Sequence, residues 1–246
     1  MGEEWRRGWH PESVSPARSS SRALVVGAGP AGLECARVLG ARGMEVALVE
    51  SSRTLGGRVA LESKLPGLSS WSRVIDYRLD ALSRMDRVQI YRQSPLEAQD
   101  VLDFAAAHVF IATGARWRRD GLGRALRQAL PGLESLPILT PDDVMGGALA
   151  PSPVLLFDDD HYYMGSVLAE RLVAQGVEVV FVTPAADVAA WTHNTLEQHR
   201  IQRRLLELDV TIIASHSLMT VTSDGVIASC VYTGRPRVIA VASLLL

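Results

Sequence analysis

Apolar residues in this chain fall in short, nearly continuous runs separated by longer amphipathic stretches, the alternation of buried parallel strands with helices. Ala23-Leu24-Val25-Val26 is such a run, closed by glycines, and predicts a buried strand. From Ala31 to Arg42 the apolar side is Leu33, Ala36, Val38 and Leu39, which predicts a helix stopped at Gly43. Glu45–Val49 predicts the next strand, completing a βαβ unit with a right-handed crossover. Further on, the pattern predicts a helix over Ser72–Met85, a strand over Val88–Tyr91 and a helical or turn segment over Val101–Ala107. His108–Ala112 reads as another buried strand, halted by Thr113-Gly114. Residues 115–150 carry most of the Gly and Pro punctuation and read as a crossover.

A second βαβ pattern starts at Val154–Phe157, with a helix over Val167–Gln175, a stop at Gly176 and a strand over Val177–Val182. A polar helix near Leu196–Leu208 follows, then strands at Val210–Ala214, Leu218–Val221 and Val226–Tyr232, and a terminal apolar run, Val238–Leu246. The expected fold class is α/β, with two Rossmann-like units of the FAD/NAD(P)-binding type, the second inserted in the first. The expected organisation is a connecting arm over 1–20, an FAD- or ADP-binding domain over 21–150 and a degenerate NAD(P)-binding-like domain over 151–246.

The chemistry concentrates at Gly27-Ala28-Gly29-Pro30-Ala31-Gly32, a G-x-G-x-x-G loop that follows a strand and opens a helix. Context gives this motif its force, because glycines cluster in many turns. Gly27 permits the strand-to-helix turn, Gly29 lets backbone approach a pyrophosphate, and Gly32 packs helix on strand. The pyrophosphate would meet free N–H groups and the positive end of the helix dipole. Glu50, at the end of the next strand, suits both ribose hydroxyls and would repel a 2′-phosphate, and Ser51 beside it joins the candidate set. Arg58 is a further candidate for the phosphates, weighed against a solvated surface arginine.

In the second unit, Asp158-Asp159-Asp160-His161-Tyr162-Tyr163-Met164-Gly165 stands where a glycine motif belongs. Three carboxylates there would each repel a pyrophosphate, and bulky side chains would fill the space glycines leave open. Tyr162 and Tyr163 are expected to cap the crevice. Asp-Asp-Asp-His is also a conceivable metal site, but adjacent acidic residues at a turn are more often solvated or helix-capping.

Composition narrows the classes. With 48% hydrophobic residues, 21% charged and a net charge of -2, the profile is that of a soluble globular protein, not a basic nucleic-acid binder. No apolar run reaches the roughly 18 residues of a membrane span, and the N-terminus has no signal-peptide core, so no membrane partner and a cytoplasmic location are expected. Cys35 and Cys230 read as two buried small hydrophobes; there is no C-x-x-C for a redox pair, zinc or an iron–sulfur cluster. Neither catalytic nor metal-ligating residues are assigned.

Several stretches carry a resemblance. Leu55-Gly56-Gly57-Arg58 resembles the glycine pair flanking the nucleotide in two-dinucleotide flavoproteins, and the turn Ala112-Thr113-Gly114 resembles one in the same superfamily. Both point to an FAD-type fold. With these, Gly2–Glu12, Leu65-Pro66-Gly67-Leu68 with Trp71, Ile111–Trp117, Asp158–Gly165 and Asn194–Glu197 resemble the C-terminal nucleotide-binding half of the trimethylamine dehydrogenase family, which includes dimethylamine and histamine dehydrogenases. The resemblance implies ADP or the ADP part of FAD in the first unit, with main chain at Leu96, in the turn Ser94-Pro95-Leu96, against the adenine. It also implies a preceding barrel, outside this chain, with FMN and a four-iron cluster, and an electron-transfer flavoprotein as electron acceptor. A related family, 2,4-dienoyl-CoA reductase, binds FAD and NADPH here; the degenerate second motif argues against it. Ser243–Leu246 is expected to lead back toward the first domain, whose return segment is missing, as in a fragment.

The leading expectation is thus a nucleotide-binding oxidoreductase module, non-catalytic alone. The alternatives are a free-standing NAD(P)H-dependent FAD reductase and a structural domain with an empty first site.

Overall fold

A computed structural model of the chain describes residues 6–7 and 14–246. The expected arm over 1–20 and the matching stretch Gly2–Glu12 therefore lie largely outside the described residues. The chain divides into two compact units: residues 1–64 with 68–115, and residues 116–246 with 65–67.

The first unit runs β1 (Arg22–Val26), α1 (Pro30–Ala41), β2 (Glu45–Val49), α2 (Val59–Glu62), α3 (Ser72–Ser83), β3 (Val88–Tyr91), α4 (Ala98–Asp103) and β4 (His108–Ile111). Its strands form one parallel sheet in the order β3-β2-β1-β4. On one face, Ala23, Val25, Val46 and Leu48 pack with Leu33 and Ala36 of α1 and Ile75 and Leu82 of α3. On the other, Leu24, Ala47 and Val49 meet Leu96, Val101 and Phe104. Burial on both faces explains the continuous apolar runs of β1 and β2. β4 departs from expectation: all four of its residues are exposed. An apolar run reports strand propensity without revealing that the strand ends a sheet.

The second unit holds β5 (Ile138–Leu139), α5 (Pro141–Met145), β6 (Val154–Phe157), α6 (Met164–Ala174), β7 (Val179–Val182), α7 (Gln198–Glu207), β8 (Thr211–Ile213), β9 (His216–Thr222), β10 (Gly225–Cys230), β11 (Pro236–Ile239) and β12 (Ser243–Leu245). A five-stranded parallel sheet, β5-β12-β6-β7-β8, packs one face against the antiparallel sheet β11-β10-β9. Leu155, Phe157, Val180 and Val182 meet Leu218, Val226 and Ala228 there. Leu168 and Leu172 of α6 are buried as well.

Two expectations shift. The contact division falls at Ala115/Arg116 rather than after residue 150, because β5 pairs with β12 in the second sheet. The terminal run is two strands in different sheets: β11 pairs antiparallel with β10, and β12 lies between β5 and β6. Ser243–Leu245 is thus an interior strand of the second sheet. Among the described residues, no helix is long and apolar enough to cross a membrane.

Candidate functional site

β1 delivers the chain to the glycine loop at the C-terminal edge of the parallel sheet, where open α/β folds place ligands. Gly27 has φ +98, a conformation side chains resist, and a Cβ there would meet the Ala112 carbonyl oxygen at 2.4 Å. Its N–H donates to the Val49 carbonyl at 2.7 Å. Gly32 faces inward: a Cβ on it would lie 1.8 Å from the Gly27 oxygen. Gly29 differs from both. It is the N-cap of α1 with φ -70, it has no side-chain cap, and its would-be Cβ meets nothing closer than Gly57 Cα at 4.0 Å. Its missing side chain leaves room rather than relieving a clash within the protein.

That room belongs to a cavity of about 440 Å³ in the first unit. Gly27, Gly29, Pro30 and Ala31 line it from the loop, Glu50 and Ser51 from the end of β2, and Gly57 and Arg58 from the following turn. Leu96 with Ser94 and Pro95, and Thr113 and Gly114 with Ala115, complete it. Every candidate residue except Gly32 lines this space, and Gly32 lies beneath it as the packing glycine.

Glu50 is held firmly. One carboxylate oxygen accepts the Ala28 N–H at 2.8 Å, and the other accepts the Ser52 N–H at 2.9 Å and the Ser51 hydroxyl at 3.2 Å. Burial pushes its pKa up, but the hydrogen bonds from Ala28 and Ser52 outweigh it and hold the carboxyl below its ordinary value. Arg58 donates to the Ala115 carbonyl, bridging the Gly57 turn and the segment after β4. It is a tether across the crevice, not a freely solvated arginine.

The equivalent place in the second unit is built differently. Asp158 directly follows β6 and is 3% exposed; its Oδ1 accepts the His161 N–H at 3.1 Å, while its Oδ2 has no hydrogen-bond partner. Burial pushes its pKa up to about 7, and neighbouring Asp160 and Asp159 add to this against the hydrogen bonds that lower it. The expectation that each of the three carboxylates repels a pyrophosphate is weakened for Asp158, because burial makes its ionisation costly. Asp159 accepts backbone N–H groups of Arg124 and Ala125, and Gly123 lies so close that a Cβ would meet its Oδ2 at 2.2 Å. The sequence reading missed this segment; its one visible signal was the spacing of Gly121 and Gly123 in a stretch read as crossover. Tyr162 and Tyr163 pack edge to face at 5.3 Å and do not line the cavity beside Asp158, where residues 116–124 stand instead. Cys35 and Cys230 are free and half-buried, not fully buried. Among the described residues, no group of three His, Cys, Asp or Glu could hold a metal ion.

A parallel sheet with a glycine-loop crevice, followed by a parallel sheet backed by an antiparallel one, defines a class by fold: proteins with two units of the dinucleotide-binding type. Residues 21–135 match the pyridine nucleotide-disulphide oxidoreductase family, and residues 139–235 match the OYE-like second alpha/beta domain. The chain is 40% identical to dimethylamine dehydrogenase of Hyphomicrobium sp. (strain x) over 86% of its length, covering 30% of that protein. It superposes on histamine dehydrogenase from Rhizobium sp. 4-9 with a TM-score of 0.95 and 47% identity, covering 99% of this chain and 38% of that one. For 6-hydroxypseudooxynicotine amine oxidase from Pseudomonas geniculata N1 the TM-score is also 0.95, with 41% identity, 99% of this chain and 37% of that one covered. The chain is thus similar to dimethylamine and histamine dehydrogenases, members of the family that its sequence resembles. It spans about a third of the length of these relatives.

Proposed function

We propose that the first unit holds ADP, or the ADP portion of FAD, as the non-reacting nucleotide module of an amine-oxidising flavoprotein. One observation carries this reading: the crevice gathers the glycine loop, Glu50, Arg58 and the two later turns around space that Gly29 leaves open. The pyrophosphate would lie against the N-terminus of α1, where the first-turn N–H groups have no intrahelical acceptor. Glu50 would bond the ribose, since a carboxylate kept ionised accepts hydroxyls and repels a 2′-phosphate. Main-chain groups of Leu96 would meet the adenine edge, and Arg58 with Thr113 and Gly114 would close the phosphate side.

ADP carries no redox chemistry, whereas FAD would bring a flavin. The module's own work is binding and positioning. The FMN, the four-iron cluster and the electron-transfer flavoprotein implied by the resemblance belong, on this proposal, to the parts of the longer protein outside these residues. Denaturing the purified chain and identifying the released nucleotide by mass and absorbance tests the reading. A chain that releases no nucleotide and gains no thermal stability from added ADP or FAD would defeat it.

A further inference from the structure

The second unit contains a cavity of about 310 Å³ that the nucleotide reading does not use. It lies at the C-terminal ends of β6 and β12, neighbouring strands of the parallel sheet. Leu156, Phe157, Met164, Leu168 and Leu245 give it an apolar lining, and Asp158 supplies an acid within it. Asp158 is 3% exposed and its Oδ2 lacks any donor, in a place where an unmatched acceptor is costly.

The other charges around the cavity are largely spent. Arg118 pairs with Asp120, Arg124 stacks on the Trp191 ring at 4.1 Å, and Asp159 is bound to backbone N–H groups. Arg116 and Asp160, of opposite sign, also line the space. An anion would add a second negative charge beside Asp158. A ligand bearing an N–H donor and an apolar body instead matches both the orphaned oxygen and the leucine-rich lining.

We propose that this cavity binds a small organic ammonium ion, its N–H group donating to Asp158 Oδ2 and its apolar body resting on Leu156, Phe157 and Leu168. The cavity is lined wholly by residues of the second unit. Because burial pushes the Asp158 pKa up to about 7, the bound cation would displace a proton. Asp159, Asp160 and His161 act on Asp158 from its own turn, and Arg116, Arg118 and Arg124 line the same cavity. Burial also holds His161 below its ordinary pKa, which favours its neutral form.

Calorimetric titration of the full chain with benzylammonium tests this, with benzyl alcohol as the uncharged isostere. We expect one saturable site whose affinity rises about tenfold between about pH 6 and about pH 8, as a carboxyl of pKa about 7 ionises. Titrations in buffers of different ionisation enthalpy should show proton release at the lower pH and almost none at the higher. Asp158→Asn should abolish the pH slope and weaken binding at least tenfold. If the asparagine variant does not fold, the pH slope and proton release of the unmodified chain decide alone. Equal binding of benzyl alcohol, an unchanged slope in the asparagine variant, or no saturable heat, as for a site that holds only water, would each overturn the proposal.

Discussion

Gly29 and Gly32 belong to one motif yet predict opposite phenotypes. A Cβ on Gly32 would lie 1.8 Å from the Gly27 oxygen and 2.9 Å from its carbon, both backbone atoms, so α1 would have to lift from β1. Overpacking of this kind costs about 1–3 kcal/mol. At roughly 2–4 °C per kcal/mol for a chain of this size, Gly32→Ala should lower Tm by roughly 2–12 °C. Gly29 has an ordinary φ of -70 and open space beyond it, so valine there loses only glycine's advantage as N-cap, about 1 kcal/mol. Its cost falls on the ligand. ADP at one hundred times Kd should stabilise the parent chain by about 2.7 kcal/mol. That is a rise of roughly 5–11 °C by the same scaling. The assay is a thermal melt of parent, Gly29→Val and Gly32→Ala, each with and without ADP. Gly29→Val should melt near the unliganded parent and show no ADP shift. A full ADP shift in Gly29→Val, or a Gly32→Ala protein as stable as the parent, would refute the reasoning.

Glu50 is held below its ordinary pKa of 4.5, so its ionised form contributes stability above that value, lost as pH falls through the lower folded value. Glu50→Gln should therefore flatten the acid limb of stability below about pH 4.5, and it should narrow the preference for ADP over 2′-phospho-ADP in competition titrations. Leu96→Ala should change ADP affinity by less than about threefold in calorimetry, because main-chain groups are the proposed contact and a loss below about 0.7 kcal/mol is expected. Calorimetry with NADH and NADPH should show no micromolar binding to the second unit. An Asp158→Gly/Asp160→Gly variant should gain none, since Asp159 still occupies the N–H groups of Arg124 and Ala125. The purified chain should not oxidise amines in a dye-coupled assay.

The first unit was legible because its signals are local. Buried strands announce themselves as apolar runs, and the glycine loop and Glu50 occur at fixed distances along β1, α1 and β2. The tether from Arg58 to Ala115 was not legible, since it joins residues 57 apart and depends on where two turns converge. In the second unit the acidic turn could be read as hostile to phosphate, but its mechanism could not. Burial of Asp158 and seating of Asp159 on residues 124–125 are tertiary events with no periodicity to betray them. The exposure of β4 and the division of the terminal run between two sheets failed for the same reason. Hydrophobicity identifies a strand, but neighbours decide its place.

The position of β12 bears on how the second unit assembles. This strand is inserted between β5 and β6, and Ser243 bonds the Pro151 carbonyl from 92 residues away. The first unit can add β1, β2 and β3 side by side as each follows the last, whereas β5 and β6 are joined only through β12. Loop-closure entropy must be met before that pairing is rewarded, which makes such a step slow. Until then, two strand edges beside the acidic turn stay open to the wrong partners, so the last strand acts as the keystone of the second unit and sets the moment at which its cavity first exists.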